Sequence, residues 1–85
     1  MPKIFKLIKT DRKGCYSGQD MYFITYNGVA FAWRCGETEA KQLFVDRVTR
    51  YNTLSPVLKE PLDLKLLGYT QKDVDNFQVI ETRSV

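Results

Sequence analysis

At 85 residues, 44% hydrophobic and 27% charged, the chain has the composition and length of one ordinary globular domain, residues 1–85, rather than of a disordered segment. Histidine is absent, which removes the commonest general base and leaves Cys15 and Cys35 too few for a structural zinc site. The formal charge of +3 is uneven: Met1 to Lys13 carries five basic residues against one acid, and the remainder eight against nine.

The opening "MPKIFKLIK" is broken by lysines before a signal-peptide apolar region develops, and no run approaches the ~18 apolar residues of a membrane span. A cytoplasmic protein is expected. In that reducing setting Cys15 and Cys35 are expected as free thiols. Residues 3–10, "KIFKLIKT", read as a first strand, although apolar positions 4, 5, 7 and 8 also fit a helical turn. Its surplus of cations suits either an anionic partner or a solvated edge strand whose lysines deter aggregation. "DRKG" and "YSGQD" make Asp11 to Asp20 a loop. It lacks the spacing of a phosphate-binding loop.

"YFITYNGVAFAWRC", Tyr22 to Cys35, gathers five of the chain's eleven aromatic rings around Asn27-Gly28. Asn-Gly between β-branched and aromatic runs predicts a two-residue hairpin with a type I′ turn. A regular ladder then places Tyr26 opposite Val29 and Thr25 opposite Ala30. Alternation puts Tyr22, Ile24, Tyr26, Val29, Phe31, Trp33 and Cys35 on one face and Met21, Phe23, Thr25, Ala30, Ala32 and Arg34 on the other. The first face is large, aromatic and uncharged, so it is expected beneath a helix, with Trp33 in the core.

That helix is predicted from Glu37 to Tyr51, where Ala40, Leu43, Phe44, Val48 and Tyr51 form one apolar stripe. Glu37 and Glu39 open it, and Arg47 and Arg50 close it, as its dipole favours. Ser55-Pro56 and "PLDLKLLG", stopped by Gly68, predict short helices. Tyr69 is expected to pack back on the helix it follows. Thr70 and Asp73 form a capping-box start to a further turn. Asp73, Asp75 and Asn76 alternate like calcium ligands but lack the loop's glycine and closing glutamate, so helix capping accounts for them better. "NFQVIETRSV" reads as a last strand, beside the first or at an edge.

The expected fold is α+β: an antiparallel sheet of three or four strands with a main helix on one face. No motif indicates catalysis, a cofactor or a metal, which leaves a non-enzymatic binding protein, monomeric or homodimeric. The first expectation is protein–protein contact, in the manner of a phage or mobile-element inhibitor or modulator of a host protein. Its surface would be the apolar, basic-rimmed face bearing Met21, Phe23, Arg34 and Lys6, unless the short helices cover that face. The alternative is nucleic-acid binding, with Lys3, Lys6, Lys9, Arg12 and Lys13 on phosphates and hairpin rings stacking on bases.

Overall fold

The structure is a computed structural model and describes residues 3–11, 18–50 and 60–84. Four strands, β1 (Ile4–Lys9), β2 (Met21–Tyr26), β3 (Val29–Cys35) and β4 (Gln78–Ser84), form one antiparallel sheet in the order β3-β2-β1-β4. Helix α1 spans Glu37–Thr49, α2 Leu64–Leu67 and α3 Gln71–Asn76. The predicted α+β domain is therefore present, with the last strand both beside the first and at an edge. Residues 51–59, which include Tyr51 and the Ser55-Pro56 cap, lie outside the described residues.

The hairpin turn follows from local chemistry. Asn27 has φ 49° and Gly28 φ 86°, the positive values a type I′ turn needs at both positions. The Asn27 side chain does more than tolerate this backbone, because its Oδ1 accepts from the Ile4 N–H at 2.9 Å. The turn thus helps to align β1. Likewise Thr70 and Asp73 close the predicted capping box on α3, and Gly68 ends α2 in the left-handed conformation at φ 83°.

Strand alternation then divides the core in two. On one face Phe5, Leu7, Tyr22, Ile24 and Phe31 pack against Ala40 and Phe44 of α1. On the other face Ile8, Met21, Phe23 and Ala30 pack against Tyr69 and Val74, with Leu62, Leu64, Leu67 and Phe77 closing the rim. The sheet is a middle layer. Helices were expected mainly on one face, but residues 60–77 carry enough leucine and aromatic surface to need an apolar partner of their own, and the second face supplies it. Tyr69 belongs to this layer: it meets Phe23 edge-on at 5.2 Å and Phe77 at 5.5 Å, so it packs on the sheet rather than only on α2.

Two bulges depart from regular alternation. Thr25 pairs with Ala30 but Ile24 pairs with Ala32, which leaves Phe31 as an extra residue in β3. Leu7 pairs with Glu81 but Ile8 with Val79, which makes Ile80 the extra residue in β4. The first bulge corrects the expected faces. Phe31 and Ala32 both turn toward α1, and every later residue of β3 changes side: Trp33 now stands opposite Phe23, and Arg34 opposite Tyr22.

The position of β1 is a second correction. It lies between β2 and β4, so its lysines do not protect an edge. A third concerns the cysteines. Cys35 is disulfide-bonded, against the expectation of free thiols; Cys15 lies outside the described residues. The expectation rested on compartment, whereas the chain ties the two regions by backbone: Gly36 N–H donates to Asp20 O at 3.0 Å, joining the end of the 11–20 segment to the end of β3.

Candidate protein-binding surface

The expected interface does not assemble. Met21 and Phe23 are 5% and 0% exposed, buried under residues 62–77. They are core residues, and the physical reason is the second helical layer. At the β3 edge the Ala30 carbonyl accepts from the Leu62 N–H at 2.9 Å, which ties the start of that layer to the sheet. Arg34 remains exposed, but the bulge puts it on the α1 side of β3. Lys6 shares its side with Ile8, the α3 side of β1, and so lies across the sheet from Arg34.

Lys6 lines a cavity of about 100 Å³ with Ile8, Thr25, Val74, Asp75 and Val79. Thr25 is 2% exposed, and its Oγ1 has no hydrogen-bond partner. Asp75 is engaged, accepting from Gln71 Nε2 at 2.9 Å. A wider cleft of about 480 Å³ runs beside α3, with Lys9, Asp11, Asp20 and Asp73 among its lining residues. Its acidic groups have structural duties: Asp20 pairs with Lys9 at 3.3 Å, and Asp73 Oδ2 accepts from Thr70 N–H at 3.0 Å. Asp75 and Asn76 also serve α3, Asn76 by donating from Nδ2 to Lys72 O at 2.8 Å. Among the described residues no group of three or more His, Cys, Asp or Glu could hold a metal ion.

The cations of the alternative reading do not converge either. Lys9 lies on the side of Phe5 and Leu7 and is paired with Asp20, whereas Lys6 lies on the opposite side. Lys3 is exposed at the start of β1. Arg12 and Lys13 lie outside the described residues. Of the rings that were to stack on bases, Tyr22 and Phe31 are buried beneath α1 and Phe23 beneath residues 62–77, while Trp33 stays exposed.

Among the described residues the exposed large apolar side chains are Val29 and Trp33 on β3, Val45 on α1, Leu66 on α2 and Val79 on β4. Trp33, the single tryptophan, is 40% exposed, and Val29 is comparably exposed nearer the turn. Arg34 folds its guanidinium back, with Nη1 donating to Trp33 O at 3.1 Å. On Trp33's side of the sheet α2 presents Leu66, 84% exposed. Trp33 was missed because a one-residue bulge changes the side of everything beyond it. Its outward turn carries no local sequence signal. No protein-family model, curated protein or solved structure matches the chain.

Proposed function

We propose that this chain is a small non-enzymatic protein-binding domain, an inhibitor or modulator that acts by occupying a partner's surface, and that it does so with the β3 rim. The observation that carries this reading is the half-exposed Trp33 with Arg34 next to it on an edge strand. A large ring left in water gains most when a partner buries it, and tryptophan and arginine are the side chains most enriched where truncation costs binding energy. Nucleic-acid binding draws less support, because Lys6 and Lys9 lie on opposite faces and Tyr22, Phe23 and Phe31 are buried, which leaves no row of rings for stacking.

The test is affinity capture from the source organism with wild type, Trp33→Ala and Arg34→Ala, each first checked for native circular dichroism. A stoichiometric protein complex lost in both variants supports the proposal. A complex indifferent to both, or recovery of nucleic acid alone with binding that collapses on adding salt, refutes it. Cytoplasmic residence requires Cys35 to be reduced, whereas the bonded state suits an oxidising compartment. Alkylation of thiols inside intact cells, followed by non-reducing electrophoresis, separates the two.

A further inference from the structure

The two edges of the sheet are not alike. Alternation along a strand sends the N–H and C=O of successive residues to opposite sides, so a few known bonds settle the direction of all the others. Ile4 O accepts from Asn27 N–H and Thr10 N–H donates to Met21 O, both at 2.9 Å. Residues 4, 6, 8 and 10 therefore face β2 with their backbone groups, and Phe5 and Leu7 face β4. Their partners Arg83 and Glu81 face β1 in return. Thr82, between them, sends its N–H and C=O outward, away from the sheet.

The same reasoning on β3 finds an edge with outward carbonyls engaged. The Tyr22–Arg34 and Ile24–Ala32 pairs are the bonded ones, so Ala30, Trp33 and Cys35 face outward. The carbonyls of the first two are occupied, Ala30 O by Leu62 N–H and Trp33 O by the Arg34 guanidinium. On β4 Thr82 is exposed, and nothing comparable covers it among the described residues.

Beside Thr82 the charges are self-complementary. Glu81 and Arg83 stand opposite Leu7 and Phe5, on the α1 side, and pair with each other at 2.9 Å. When two β4 strands meet antiparallel about a twofold axis at Thr82, each residue i lies opposite residue 164 − i. Glu81 of each copy then faces Arg83 of the other, twice, and Thr82 faces itself. The Thr82 pair is the hydrogen-bonded one, which makes the Glu81–Arg83 pairs the closer, non-bonded kind in which side chains interact most. The index sum is even, so the α1 layers of both copies stay on the same side. The cleft of about 110 Å³ lined by Phe44, Val45, Val48, Thr49 and Arg83 borders this edge and extends apolar surface up to it.

The geometry points to a homodimer formed by β4 against β4 of a second copy, one eight-stranded sheet in register at Thr82. This leaves the β3 rims at the two outer ends, free for the binding proposed above.

Sedimentation velocity over a concentration series is the assay, with wild type, Thr82→Pro, Glu81→Arg, Arg83→Glu and the double swap. Proline at 82 removes an outward donor and no bond to β1, so the fold tolerates it as edge strands do. Each single reversal creates two facing like-charge pairs and weakens dimerisation by about tenfold or more. The double swap restores complementarity and with it the dimer, a rescue that a merely unfolded variant does not show. Trp33→Ala leaves the dimer unchanged, which separates this inference from the β3 reading. Wild type that stays monomeric up to about 1 mM, the weak end of specific association, overturns it. So does a dimer insensitive to Thr82→Pro, or a double swap that fails to re-form it.

Discussion

The bulge at Phe31 decides which aromatic is structural, and paired alanine substitutions measure its consequence. Phe23 is fully buried, with the Tyr69 ring centre at 5.2 Å and that of Phe77 at 6.4 Å. Removing a ring from such a site costs about 3–5 kcal/mol, because the neighbours only partly close the cavity. For a chain of this length total stability is of order 4–13 kcal/mol at ~0.05–0.15 kcal/mol per residue, so Phe23→Ala leaves a marginal fold at best. Trp33 is 40% exposed. The buried remainder of a side chain of up to ~250 Å² is about 150 Å², or ~4 kcal/mol at ~25 cal/mol/Å². The alanine keeps about 1 kcal/mol of that, and a compact unfolded state takes away a further ~10–40%, leaving about 2 kcal/mol. No cavity cost adds to it, since the vacated volume at a strand edge opens to water. At ~4–8 °C per kcal/mol for a domain of this size, Trp33→Ala lowers Tm by roughly 8–16 °C and Phe23→Ala by at least roughly 12–24 °C. Thermal melts by circular dichroism read the difference. Because Trp33 is the only tryptophan, its fluorescence gives an independent measure: acrylamide quenches it in the native state. If Trp33→Ala is the more damaging change, or native fluorescence resists quenching, the bulge is absent and the regular register holds.

Thr25→Val exchanges a buried, unpartnered hydroxyl for a methyl group of similar shape. Leaving such a group unsatisfied costs about 1–3 kcal/mol, so the valine variant is expected to gain of order 1 kcal/mol in denaturant unfolding; a loss would mean that Oγ1 has a partner in solution. Cys35, being disulfide-bonded, resists alkylation until a reductant is added, and reduction lowers stability by about 2–4 kcal/mol. Prompt labelling of native, unreduced protein at Cys35 would contradict that bond.

Several features of this fold are local, and these the sequence determined by itself. Asn27-Gly28 makes a type I′ turn because both positions need positive φ. Thr70 and Asp73 cap α3 because hydroxyl and carboxylate reach each other's backbone within one turn, and the same contact removes any reason to see a calcium loop there. The stripe of Ala40, Leu43, Phe44 and Val48 names the buried side of α1 because its period is helical. In each case the interacting groups lie within a few residues of one another.

The candidate site was legible only in fragments, because it depends on pairings between distant segments. Arg34 was singled out and is exposed, yet its face was wrong; Met21 and Phe23 were singled out and are core. The leucines and aromatics of residues 62–77 were the available signal that a second apolar surface had to exist, and that signal has no direction until β1, β2 and β3 present it. Likewise the lysines of β1 read as an edge until β4 is seen outside them. The tertiary structure alone decided the bulges at Phe31 and Ile80, the side on which Trp33 emerges, and which edge has outward carbonyls engaged. The physical reason is that side-chain alternation has a period of two. One inserted residue, whose cost is set by packing on both faces of the sheet at once, reverses everything beyond it.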